Sequence, residues 1–262
     1  MTETLLPCFA DAIRDISDAA ALNPQNLSSL LLHREEINGR AVEMIYAPFD
    51  YVNAEARIAI VGLTPGRQQT TNALLTARAG LRQGASLAAA AKEAKAHASF
   101  SGPMRSNLVR LLDHIGIARF LGMTSTAELW QSRMEMAHFT SALRYPVFVD
   151  GQNWSGQPDM VRVASMRKWL ESYTGLELST MRQALLVPLG PKVTAALQHL
   201  AALGLIDAKH ILSGLPHPSG ANAERISCFL GEKPAHLASE KTNAGDLLRA
   251  RDRLKEQIAN MR

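Results

Sequence analysis

Cysteine is scarce in this chain. Its 262 residues include two, Cys8 and Cys228, far apart and without Cys or His partners at metal-ligand spacing. That argues against a disulfide framework and against a zinc or iron–sulfur site, and fits free thiols in a reducing cytoplasm. Long apolar runs are missing as well. None reaches about 18 residues, the length a membrane helix needs, so no membrane partner is expected. The first residues show no basic stretch leading into an apolar one, so no secretory signal is expected either, and a cytoplasmic location follows. Nor is there an acidic excess: 28 Lys and Arg against 24 Asp and Glu leave a net charge of +4. Mild basicity of this kind suits a nucleic-acid partner without requiring one.

What the chain does have is enough apolar material, 47% of residues, for the core of one α/β domain spanning 1–262. Strand patterns at 41–46, 57–61, 137–143, 184–189 and 209–212 alternate with helical patterns at 2–22, 70–98, 104–120, 160–173 and 191–203. Such alternation predicts a three-layer α/β/α sandwich with a short, mainly parallel central sheet. An N-terminal helical segment (1–40) and a helical insertion at about 70–98 decorate it. In open parallel sheets, ligands gather at the carboxyl ends of the strands.

Two loops leave strands at that end. The first is Gly62-Leu63-Thr64-Pro65-Gly66, followed by Arg67 and Gln68. It lacks the Lys-Ser/Thr ending of a nucleoside-triphosphate loop and the three spaced glycines of a dinucleotide fingerprint. The second is Pro216-His217-Pro218-Ser219-Gly220, in which two prolines fix the backbone around one histidine before a helix begins. By themselves these are a glycine turn and a proline-rich turn; together they can meet in one crevice.

The pair resembles the uracil-DNA glycosylase superfamily, and weaker matches stand between them in the family's order. Phe100-Ser101-Gly102 is similar to the segment that stacks on the flipped pyrimidine, and the strand ending at Ser141 to the one that reads the base edge. Residues 187–192, including Gly190 and Lys192, are similar to the turn that binds a DNA phosphate. The resemblance covers roughly residues 57–230. It implies a monofunctional DNA glycosylase that needs no cofactor and no metal and acts on DNA as a monomer. It implies catalytic roles for His217, stabilising the leaving base, and Thr64, placing the water. Gly62, Leu63, Pro65, Gly66, Phe100 and Ser141 would bind the base. Arg67, Gly190, Lys192, Ser219, Asn222 and Arg225 would contact DNA.

Two departures bear on substrate. Strongly uracil-active members usually carry Asp or Asn where this chain has Thr64, and a hydroxyl is too weak a base to deprotonate water. Ser141 stands where a base-reading Asn is frequent; its smaller side chain predicts weaker discrimination and room for a larger base. The cysteine ligands of the iron–sulfur branch are absent. Two rival readings therefore accompany uracil repair: a glycosylase against hypermodified bases of phage DNA, and a nucleic-acid-binding protein that has lost catalysis. No lysine is placed by the motifs for a Schiff-base step. Arg105 and Arg144 read as solvated surface charges, and His138, on the strand leading to Ser141, as a structural histidine.

Overall fold

A computed structural model describes residues 4–98 and 103–261. Helix α1 (Leu6–Asp15) and the short α2 (Asp18–Ala21) come first. Leu6, Ala10 and Ile13 recur on one face of α1 and are buried, as helical periodicity dictates. Strands β1 (Leu31–Ile37) and β2 (Arg40–Ile45) then form an antiparallel hairpin. Its turn is Asn38-Gly39, with φ of 53° and 74°, the left-handed geometry of a two-residue hairpin loop. The helical segment expected through residue 40 therefore ends early, because Asn-Gly favours reversal of an extended chain over helix continuation.

The chain continues with β3 (Ile58–Gly62), α3 (Arg67–Arg82), α4 (Leu87–Ala98), α5 (Pro103–His114), α6 (Ile117–Leu121) and β4 (Ala137–Ser141). A second hairpin, β5 (Val147–Val149) and β6 (Gln152–Asn153), turns at Asp150-Gly151, again with positive φ (49° and 71°). Next come α7 (Ala164–Trp169), one π-helical turn at Leu170–Gly175, α8 (Leu176–Ser179), β7 (Leu185–Pro188) and α9 (Pro191–Ala202). Helices α10 (Ala223–Leu230) and α11 (Ala244–Asn260) complete it; the patterns above did not predict α11. No helix among the described residues is long and apolar enough to cross a membrane.

The fold is mixed α/β with a short parallel sheet, in the order β4-β3-β7. Its strands are buried on both faces. Ile58, Ile60, Phe139, Leu185 and Val187 join Leu111, Phe229 and Leu254 of α5, α10 and α11 in one core. Ala59, Val61 and Leu186 join Leu74, Ala94 and Leu197 of α3, α4 and α9 in the other. Two-sided burial is why β3 and β7 read as continuous apolar runs. The central sheet is parallel throughout, but the strand expected at 41–46 does not join it: β2 lies in a separate antiparallel sheet, β1-β2-β5-β6. The expected strand at 209–212 shrinks to one bridge between Ile211 and Leu186. Asp207 accepts a hydrogen bond from the Lys209 N–H (3.0 Å) and winds 208–210 into a 3-10 turn, leaving little chain to extend.

Candidate functional site

Strand register brings the predicted loops together. Gly62 at the end of β3 pairs with Ser141 at the end of β4, and the Leu189 N–H donates to the Val61 carbonyl (2.9 Å) on the other side. Gly190 follows, and a Cβ built on it would lie 3.8 Å from His217 Cδ2. Ser141, the first loop, the Gly190 turn and His217 are therefore neighbours along one sheet edge. At φ 99° and ψ 167°, Gly190 occupies a region essentially closed to other residues. Gly190→Ala is expected to cost about 1–3 kcal/mol and to displace the His217 loop. A lowered melting temperature together with a shifted His217 resonance would show this; an unchanged protein would refute it.

The first loop is held from outside. The β5–β6 hairpin presents Asn153, whose Oδ1 accepts from the Arg67 N–H (2.9 Å), while Gly151 O accepts from the Arg67 guanidinium (2.9 Å). Gln69 Oε1 accepts from the Gly66 N–H (3.1 Å). Thr64 Oγ1 donates to Tyr145 O (3.1 Å) and accepts from Val147 N–H (3.2 Å). Its single proton is thus committed to the backbone. What remains for a water is a lone pair, which can orient but cannot deprotonate.

His217 is half-buried, between two buried prolines. Its Nδ1 accepts from the Ser219 N–H (3.2 Å), and burial pushes its imidazole below the ordinary value. Acceptance at Nδ1 puts the proton of the neutral ring on Nε2. Asn107 of α5 donates to Pro218 O (3.0 Å), tying that loop to a rigid helix. Beside it, α9 begins with Pro191, and no side chain among the described residues caps its first N–H groups, the kind of helix start that attracts an anion.

Other predicted residues are engaged locally. Lys192 Nζ donates to Gly156 O (2.7 Å) and Ser155 O (3.4 Å), which draws it toward the 154–156 loop. Ser219 Oγ accepts from Asn222 Nδ2 (3.0 Å), and the exposed Arg225 reaches Lys241 O (3.3 Å). Phe100, the predicted stacking residue, lies outside the described residues, with its neighbours 99–102.

Pro65 and Ser141 line a small cavity of about 20 Å³ with Phe49, Gln69, Phe139, Thr140, Lys95 and Arg144. Gln69, Lys95 and Arg144 share the lining of this cavity with Ser141. Arg144 is not a solvated charge: it is 2% exposed. Its Nε donates to Glu177 Oε2 at 2.5 Å, and Lys95 Nζ donates to Glu177 Oε1 at 3.0 Å and to Tyr51 O at 2.7 Å. His138 donates from Nε2 to the same Oε1 and accepts the Asn53 N–H on Nδ1 (3.3 Å). Burial alone would raise the Glu177 carboxyl, but Lys95 and Arg144 hold it well below the usual range. A larger cleft of about 700 Å³, lined by His33, Trp169 and Tyr173, lies on the other side of Arg144 and contains none of the predicted residues.

The motifs pointed to none of Lys95, Arg144 and Glu177. The available signal was slight: Lys95 shares the buried face of α4 with Ala91, Ala94 and Ala98.

Burial, with Lys95 beside it, pushes His138 down to about 4. An unfolded imidazole titrates near ~6.5. Between these values the unfolded chain takes up a proton that the folded chain refuses. The His138 contribution is therefore complete above ~6.5 and declines as pH falls, by up to ~1.4 kcal/mol per pH unit. Thermal melts between about pH 7 and 5 should show this decline, flattened in His138→Gln. Equal slopes in the two proteins would refute it.

The chain is 32% identical over 228 residues to "Uncharacterized protein YoxB" of Bacillus subtilis (strain 168), a match covering 86% of this chain and 88% of YoxB. No family profile matches. No solved structure matches.

Proposed function

The chain belongs to the family of YoxB, and for it we propose a monofunctional DNA glycosylase acting on uracil or a related modified base. The observation that carries the reading is His217: an imidazole whose Nδ1 accepts from Ser219 and whose loop is tied by Asn107, with an Nε2 that has no hydrogen-bond partner among the described residues, beside the start of α9. Breaking an N-glycosidic bond leaves negative charge on the base and positive charge on the sugar. A fixed N–H where that negative charge develops lowers the barrier as an oxyanion hole does. The first N–H groups of α9 would seat a phosphate of the flipped nucleotide. Water adds to the sugar carbon as the base departs with the bonding pair, and the water's proton passes to solvent. Thr64 would orient that water through its remaining lone pair. Such a site gives hydrolysis at a modest rate, because no base assists the water.

One observation favours a second reading, a DNA-binding protein without catalysis: the Thr64 hydroxyl already bridges Tyr145 and Val147. Duplex oligonucleotides carrying a single uracil, hypoxanthine or xanthine distinguish the two. The expected result is strand cleavage after alkali, and none before it, at one or more of these bases. No abasic site with any of them, with salt-dependent DNA binding retained, would establish the second reading. Abasic sites formed only in phage DNA bearing bulky modified pyrimidines would instead assign the activity to defence.

A further inference from the structure

We propose that the cleft between β1 and the α7–α8 segment is a second ligand site, for a nucleoside-phosphate unit: a flat base stacked on His33 and a phosphate drawn to Lys168. The unit is either a free nucleotide or an unpaired nucleotide of a strand. The cleft shares no residue with the Gly62–Gly66 and His217 loops, so the inference does not depend on the glycosylase reading.

Its first support is a stacking platform with charge beside it. The His33 and Trp169 rings are stacked, with centroids 5.2 Å apart and planes at 21°. Trp169 is buried, whereas His33 is exposed and lines the cleft. One face of the imidazole is therefore covered and the other is left to a ligand, so a base would extend the pile. Burial pushes the His33 imidazole below its ordinary value, Glu35 raises it and the Lys168 ammonium lowers it again. Lys168 thus stands close to the platform; it is exposed, and no salt bridge among the described residues engages it. Glu35, the one acidic residue of the lining, accepts from the Ser165 hydroxyl. A flat ring with an unpaired cation beside it suits a base and its phosphate.

The second support is independent of charge: regular structure is interrupted on both the strand and the helical side. On β1 the register shifts between Leu31 and His33, and such a bulge re-aims a side chain. On the helical side, the π turn at Leu170–Gly175 brings Ser172 and Tyr173 into the lining. Turns of this kind are rare and recur at functional sites. This one is held in place, because Arg144 donates to Tyr173 O (2.9 Å) and the Thr174 hydroxyl to Ser141 O (2.9 Å). The third support is size. A cleft of about 700 Å³ falls within the ~300–1,000 Å³ of small-molecule sites. That is room for a nucleotide and its waters, far beyond what a lone ion needs.

Deoxyadenosine 5′-monophosphate, deoxyribose 5-phosphate and single-stranded (dA)6, each titrated calorimetrically into the full chain, test this. The monophosphate is expected to bind at least about tenfold more tightly than the sugar phosphate, which has no base to stack. His33→Ala is expected to weaken the monophosphate about fivefold or more, the loss when a base is deprived of its stacking partner, and His33→Phe to restore it. Lys168→Gln should weaken the monophosphate and the sugar phosphate alike. Both positions are exposed, and the lysine variant keeps the test decisive should melting curves show His33→Ala unfolded. His217→Ala should leave the monophosphate affinity unchanged, which separates the cleft from the loops at the sheet edge. Tighter binding of (dA)6 than of the monophosphate, with the same loss in His33→Ala, would make a strand the source of the unit; otherwise the monophosphate's own response makes it a free nucleotide. Three results would overturn the site: no binding of the monophosphate or (dA)6 at millimolar concentration, equal binding of the sugar phosphate, or an affinity unchanged in both the His33→Ala and Lys168→Gln variants.

Discussion

His217→Ala is expected to lower kcat/KM on the best oligonucleotide substrate by about 10²–10³-fold, the loss measured when one oxyanion-hole donor is removed from other enzymes. The size follows from geometry. His217 presents one N–H on Nε2, its Nδ1 is engaged by Ser219, and the loop behind it is tied to α5 through Asn107. Removing the ring removes a donor placed in advance, and water entering in its place must be reoriented during the reaction. Folding should barely change, because the side chain is half-buried and its loop remains fixed at Pro218. His217→Gln, which restores an N–H at similar reach, should recover part of the rate. Single-turnover cleavage rates set beside melting curves read both effects. Undiminished cleavage by the alanine variant would remove His217 from the mechanism.

Glu177→Gln should unfold the protein more readily than any surface substitution, by about 3–5 kcal/mol, the usual cost of removing one partner from a buried ion pair. The carboxylate is wholly buried and receives Lys95, Arg144 and His138. A carboxamide can still accept from His138, but it leaves two buried cations without a counter-charge. For a domain of this size the loss corresponds to a melting temperature roughly 10 °C lower. The double variant with Lys95→Met should recover part of it, with a coupling of about 1–3 kcal/mol, because one of the stranded cations is gone. Melting curves of the single and double variants decide the matter. A shift under about 2 °C in the single variant would mean that Glu177 does not neutralise the cluster.

The legible parts of this protein are those whose cause is local. Ile58–Gly62 and Leu185–Pro188 are apolar runs because both their faces are covered, and such runs announce themselves. The prolines around His217 and the glycines at 62, 66 and 190 punctuate the chain where strands end. Asn38-Gly39 and Asp150-Gly151 carried an equally local hairpin signal, and with it the antiparallel sheet that the strand–helix alternation left unmarked.

The buried charges are another matter. Glu177 meets His138, Arg144 and Lys95 across 39, 33 and 82 residues of chain. Little near any of the four says that it will be removed from water. Arg144 reads as a surface charge because arginine usually is one, and it is buried only because α8 sets a carboxylate against it. Thr64 shows the same division: its place after β3 is written in the chain, whereas the Tyr145 and Val147 partners that occupy its hydroxyl come from the return to β5. Periodicity and turn chemistry were enough for the three parallel strands and for the loops that leave them. Which side chains lose their water, and which of their protons remain free, depended on long-range packing, because desolvation and hydrogen-bond pairing are properties of the assembled neighbourhood.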